Sequence, residues 1–197
     1  MRIGLDLTAI ADPDDRLGLA VEADRLGLWA VLIAGRAGTE TIEAATVATV
    51  TASIPLAVKL DADRDHPLSL AEEVSVLDHL SGRRALAIVD GQPERVDHVA
   101  GLLAGRIVDG TALSPPPAQT AVPVWSAAGI ATAELSGDLD DDARVVDGWR
   151  DRGCTHLFVA WPGPLPVLAR HLVTRAAGPD FPSIVAELAD RIDPPTG

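Results

Sequence analysis

The chain has 197 residues, 47% of them hydrophobic, and a formal net charge of -13 at neutral pH. That length suits one domain, or one with a small appendage, and the apolar share is enough to build a core. The acidic balance argues against nucleic acid or an anionic membrane surface as a partner, because both call for a basic face.

Arg2 to Leu7 (RIGLDL) reads as a short apolar strand. Asp12 can cap the helix that follows, and Pro13 fits its first position. Leu19, Ala20, Ala23 and Leu26 share one helical face, and Gly27 suits a left-handed helix end. Residues 29–34 (WAVLIA) form a second strand, apolar on both faces. Thr39 opens a second helix, with Ile42, Ala45, Ala48 and Ala52 expected inward. Residues 55–60 (PLAVKL) give strand three. Pro67 starts helix three with Leu70, Val74 and Leu77 inward, although Ser69 to Glu72 also fits a capping box. Residues 85–89 (ALAIV) form strand four, and Pro93 opens helix four with Val96, Val99, Ala100 and Leu103 inward.

Strands buried on both faces and separated by amphipathic helices imply a parallel sheet under helical cover, joined by right-handed crossovers. The second half departs from that rhythm. Residues 105–122 form a long connection with three consecutive prolines, which exclude a helix. Residues 122–127 (VPVWSA) are the fifth strand, 133–143 read as an acidic loop, and Val145, Val146 and Trp149 mark a helix closed by Gly153. Residues 155–160 (THLFVA) form a sixth strand. Two more helical faces follow, one with Leu165, Leu168, Ala169 and Leu172, the other with Ile184, Val185, Leu188, Ala189 and Ile192. The expected fold is α/β, an incomplete TIM-barrel-like sheet of about six parallel strands with outer helices, in a single domain over residues 1–197.

Several stretches, in order, resemble the luciferase-like flavin- and deazaflavin-dependent monooxygenases and oxidoreductases. AVEADRLGLWAVLIA (20–34) is similar to that family's first helix and second strand, and TIEAATVATVTASIPLAVKL (41–60) to its second helix and third strand. HPLSLAEEVSVLDHLSGRRALAIVDG (66–91) follows its His-Pro, Ala-Glu, Leu-Asp, Ser-Gly-Gly-Arg pattern into an apolar strand. LLAGRIVDGTALSPPPAQTAVPVW (102–125) resembles its proline-rich approach to strand five. GCTHLFVA resembles strand eight, and PDFPSIVAELADRI the C-terminal helix. The likeness covers residues 1–125 and 144–192. About two strand–helix units of the family, between strands five and eight, have no counterpart.

The resemblance implies a barrel with its site at the C-terminal ends of the strands. It places the SGRR turn at the opposite, structural end, with Gly82 making the turn and Arg83 satisfying helix-end carbonyls. The candidate cofactor-binding residues are Asp6, Arg36, Lys59, Leu60, Asp61, Asp90, Gly91, Ser126 and Trp161. At Lys59-Leu60-Asp61 the family often has a strained bulge against the flavin ring, and Lys59 could add positive charge; the plainer reading is a solvated lysine, the only one in the chain. Asp90-Gly91 precedes a helix N-terminus that could hold an anion, although Asp90 would repel phosphate and capping suits it better. Trp161 could pack beside a flavin or simply against Pro162 and Pro164.

Where many relatives carry Glu-His-His after strand two, this chain has Ala34-Gly35-Arg36, and arginine cannot shuttle protons. No catalytic residue is assigned. The five histidines have no metal-ligand spacing, His66 reads as structural, and no G-x-S-x-G is present. The implied cofactor is FMN, or alternatively a deazaflavin coenzyme, acting on a small-molecule substrate. The alternative is a non-catalytic flavin-binding or partner subunit that keeps the scaffold. A doubly wound fold ranks last, since LTAIADPDD after strand one is no glycine-rich phosphate loop.

Open strand edges need cover, so the expected partner is a second copy or a full-length relative, in a homodimer or heteromer. The N-terminus lacks a signal-like apolar core, and no apolar run nears the roughly 18 residues of a membrane helix, so a cytoplasmic location without membrane contact is expected. One cysteine, Cys154, allows no internal disulfide.

Overall fold

The computed structural model describes residues 1–33 and 38–160. Seven strands form one sheet: β1 (Arg2–Asp6), β2 (Val31–Ile33), β3 (Leu56–Asp61), β4 (Ala85–Asp90), β5 (Val124–Ser126), β6 (Ala131–Glu134) and β7 (His156–Ala160). Five α-helices alternate with them: α1 (Pro13–Arg25), α2 (Glu40–Val50), α3 (Pro67–Leu80), α4 (Pro93–Leu103) and α5 (Leu139–Asp151). The strand order is β5-β4-β3-β2-β1-β7-β6, and every pairing is parallel.

This is the incomplete TIM-barrel-like architecture expected, with one more strand than the sequence reading counted. Residues 133–143 are not a loop. Ala133 and Glu134 end β6, and the acids that follow belong to α5. Asp138 is its N-cap, accepting from the Asp140 and Asp141 N–H groups at 3.0 Å each. Asp140, Asp141 and Asp142 fill the first turn, where negative charge suits the helix dipole. Asp142, 1% exposed, accepts from Ser136 and Gly137 N–H groups and fixes the β6–α5 turn.

The sheet separates two apolar layers. Its outer face packs on the helices through Leu5, Val31, Ile33, Val58, Val89, Leu157 and Val159, joined by Ala23, Val47, Val74, Leu77 and Leu102. Its inner face holds Ala30, Leu32, Ala57, Leu86, Ile88 and Phe158, with Trp29, Trp125, Ala127 and Ile130 packed against them. The alternation of the pleat sorts the two sets. Gly4 sits on the inner face because Phe158 needs the room. A Cβ there would lie 2.6 Å from the Phe158 ring and 2.8 Å from the Ala30 carbonyl oxygen.

The inner face is concave. β5 and β7 have four strands between them, so in a flat sheet they would be about 24 Å apart. Yet the Trp125 ring on β5 lies 4.5 Å from the His156 ring on β7, centroid to centroid, and 5.2 Å from Trp29, stacked at 19°. Residues 127–130 join the two edge strands, with Ala127 and Ile130 packed on the inner cluster. The gap expected between strands five and eight is bridged by this link and β6.

Helix ends follow the sequence in part. Asp12 caps α1 and Gly27 closes it at φ 71°. His66 caps α3 through Nδ1, as a structural residue. On α2 the reading holds in part: Ala48 is buried and Ala45 packs on the core as expected, but Ile42 is 65% exposed, Ala52 is exposed beyond the helix, and Thr41, Ala44 and Val47 are buried as well. The SGRR turn lies at the N-terminal end of β4. Gly82 takes φ 69°, but Arg84, not Arg83, satisfies the carbonyls. Its guanidinium donates to Ser81, Ala48, Thr51 and Ile54 oxygens at 2.6–3.2 Å. The proline-rich connection is pinned beside it, since fully buried Asp78 accepts from Gln119 N and Nε2 at 2.7 Å each.

No helix among the described residues is long and apolar enough to cross a membrane.

Two predictions follow from these contacts. Gly4→Ala will lower stability by about 1–3 kcal/mol in urea unfolding, and Phe158→Leu in the same chain will recover part of the loss. Asp24, on α1, accepts from Ser53 Oγ (2.6 Å) and from the backbone N–H groups of Ala52, Ser53 and Ile54 in the α2–β3 turn. Burial pushes its pKa up, and these hydrogen bonds outweigh it, so the carboxyl titrates below its ordinary value. The resulting stabilisation is present above the unfolded carboxyl pKa of about 3.9 and disappears as pH falls through the lower folded value. Asp24→Asn will flatten the acid limb of stability against pH; an unchanged limb contradicts the assignment.

Candidate functional site at the strand C-termini

The pleat alternation decides which side chains face the barrel mouth. On β3, Leu56, Val58 and Leu60 belong to the outer layer and Ala57 to the inner, so Lys59 and Asp61 point inward. The same rule turns Asp6 of β1, Asp90 of β4 and Glu134 of β6 inward. Register aligns them: Lys59 is opposite Ile88, and Asp61 is opposite Asp90. The floor beneath is apolar, made by Leu86, Ile88, Leu32 and Phe158.

Of the sequence candidates, Asp6, Lys59, Asp61, Asp90 and Gly91 come together on this rim. Leu60 does not: it is 3% exposed and packs under the helices. Ser126 ends β5, but Trp125 is the inward residue there, so Ser126 alternates away from the mouth. Arg36 and Trp161 lie outside the described residues. The acidic-loop reading of residues 133–143 hides Glu134 at the end of β6; the alternation in Ala131-Thr-Ala-Glu134, ahead of Leu135, is the signal that marks it.

Most rim carboxylates are committed to local turns. Asp6 Oδ1 accepts from Thr8 N at 2.8 Å. Asp61 Oδ1 accepts from Asp63 N (2.9 Å) and Arg64 N (3.1 Å). β3 pairs with β4 residue for residue through Asp61, without the expected bulge. Asp90 accepts from its neighbour Gly91 N at 3.0 Å and does not cap α4. The α4 N-cap is Gln92, and its N–H is taken by Asp63 Oδ1 at 3.0 Å. Gly91 adopts φ 138° because the chain there runs close to the β3–α3 turn; a Cβ would sit 3.2 Å from Ala62 Cβ and Asp63 N. The Glu134 side chain makes no hydrogen bond or ion pair with the described residues.

Among the described residues, the inward strand ends thus carry four carboxylates and Lys59, with Arg64 and Arg95 in the turns beside them. The floor residues Leu32, Leu86, Ile88 and Phe158 are themselves buried, at 0–4% exposure. Asp63 takes the N–H of Gln92, the residue ahead of α4, and its carboxylate there opposes a phosphate at that helix N-terminus; α1, α3 and α5 carry side-chain caps, whereas α2 and α4 do not. Among the described residues no cluster of three or more metal-ligating side chains occurs.

The chain matches no protein-family model and no curated protein. Solved structures do match. The monooxygenase RslO1 from Streptomyces bottropensis aligns at TM-score 0.51 and 17% identity, over 96% of this chain and 66% of its own. The coenzyme F420-dependent tetrahydromethanopterin reductase from Methanopyrus kandleri aligns at 0.52 and 14%, over 95% and 82%. The EDTA monooxygenase EmoA from Chelativorans sp. BNC1 aligns at 0.52 and 14%, over 97% and 72%. This chain therefore spans about two thirds of RslO1. At these identities the likeness concerns architecture alone, and it agrees with the curled sheet and the order of its elements: the chain has an incomplete TIM-barrel-like α/β fold similar to that of these larger proteins.

Proposed function

We propose that this chain is a luciferase-like oxidoreductase domain that takes a reduced flavin, FMN or a deazaflavin, across the mouth of its barrel and acts on a small organic molecule. The observation that carries this reading is that Lys59 and the carboxylates of the strand ends face inward above an apolar floor. The flavin would supply the redox chemistry, while the protein binds, orients and shields it. Lys59 would lie against the ring edge. Leu86, Ile88 and Phe158 would keep water from the lower face. Glu134, the rim carboxylate without a local partner among the described residues, would hold or move a proton at the substrate.

The acidic rim supports a second reading, a flavin-binding or partner subunit that keeps the scaffold without turnover. Four inward carboxylates share the strand ends with one lysine, and the Asp63 carboxylate stands at the α4 N-terminus.

Separate absorbance and fluorescence titrations with FMN and with an F420-type deazaflavin distinguish the readings. The oxidoreductase reading expects saturable binding, weakened about tenfold by Lys59→Ala, the loss of one charge-assisted contact. It also expects Glu134→Gln to keep binding but lower turnover with the reduced cofactor. Binding without turnover favours the second reading, and no binding of either cofactor contradicts both.

A further inference from the structure

A cavity of about 660 Å³ lies between α1, α2 and residues 8–11 of the β1–α1 loop, within the size range of small-molecule sites. Ile10, Leu17 and Val47 line it and belong to the outer core, whereas no residue of the inner cluster does, so it lies on the helical side of the sheet. Its polar wall is Arg16, Glu43 and Thr46. Arg16 Nε and Nη2 donate to the Ile10 carbonyl oxygen at 3.1 and 2.8 Å, and Nη1 donates to Glu43 Oε2. These bonds hold the loop to α1 and leave further guanidinium N–H groups without an acceptor among the described residues. Thr46 Oγ1 donates to the Ile42 carbonyl at 3.0 Å, and its oxygen keeps the capacity to accept.

We propose that this cavity binds an uncharged small molecule with an apolar body and a carbonyl oxygen, the oxygen accepting from Arg16. The walls select that class from several sides. A cation would meet the guanidinium. A carboxylate or phosphate would compete with Glu43 for the same guanidinium, and would enter beside Asp12, Asp14 and Asp15 at the start of α1. A plain hydrocarbon would shut water away from the remaining N–H groups and leave them unpaired. A neutral carbonyl oxygen pairs them without adding charge, while Ile10, Leu17 and Val47 cover the apolar body. The site stands apart from the flavin reading, because it shares none of the inward rim residues. It is nonetheless a neighbour of the rim: Thr8, on its wall, donates its N–H to Asp6 at 2.8 Å.

Assigned amide proton–nitrogen correlation spectra of the full chain, titrated with acetophenone, test this. Acetophenone will give saturable shifts at Ile10, Arg16, Thr46 and Val47, with a dissociation constant of about 1 mM. Ethylbenzene, which lacks the oxygen, and benzoate, which adds a charge, will each bind at least about tenfold more weakly. Arg16→Lys keeps a charge beside Glu43 but loses the planar fork, and will weaken acetophenone about tenfold. Thr46→Trp, at an exposed helix position, will fill the cavity and abolish the shifts with circular dichroism unchanged. Absent or non-saturating shifts overturn the proposal, as do shifts confined to the barrel mouth at Ile88 to Asp90. So does ethylbenzene or benzoate binding as tightly as the ketone, or either variant, once shown to be folded, binding like the wild type.

Discussion

Everything in this fold depends on a short tether between the two outermost strands of the sheet. Ser126 ends one edge strand and Ala131 begins the other, with residues 127–130 between them. Five peptide steps span at most about 18 Å. A flat seven-stranded sheet would hold its edges about 29 Å apart at the usual strand spacing. The chain cannot connect unless the sheet curls, and the curl gives the molecule an inside. The outer layer is a conventional sheet-on-helix core. The inner layer exists only because opposite parts of the sheet meet, and it is filled by rings: Trp125 from β5, Trp29 ahead of β2, and His156 and Phe158 from β7.

That filling gives the barrel two unlike ends. The rings occupy the side where β2 and β7 begin, and Gly4 is there to make space for Phe158. Burial, together with the nearby positive charges of Arg2 and the chain N-terminus, holds the His156 imidazole below its ordinary pKa, so the ring packs as a neutral aromatic. At the opposite end the inward positions become polar and mostly acidic, and their carboxylates secure the turns that leave the strands. The same rim that would face a ligand is thus also the device that ends β1, β3 and β4 cleanly.

The strands were legible where both faces are buried. Runs such as Ala85 to Val89 leave no other reading, since the whole strand lies between two apolar layers. β6 was not legible because four residues with two alanines carry little hydrophobic signal, and the acids after it look solvated. They are instead a helix cap and first turn, a role that depends on where α5 begins. On α2, small residues lie on several faces, so periodicity finds Ala45 and Ala48 but turns Ile42 inward when it faces out. The rim positions could be found from the rule that barrel sites lie at strand C-termini. Which carboxylate serves which turn could not, because Asp63 reaches Gln92 across 29 positions of sequence, and only the paired strands bring them together.

Nuclear Overhauser contacts between the indole protons of Trp125 and the ring protons of His156 test the central claim most directly. The curled sheet places these ring centroids 4.5 Å apart, so strong cross-peaks are expected. Their absence, with both ring systems assigned, would mean that the sheet lies open, and neither an enclosed floor nor a mouth above it would exist.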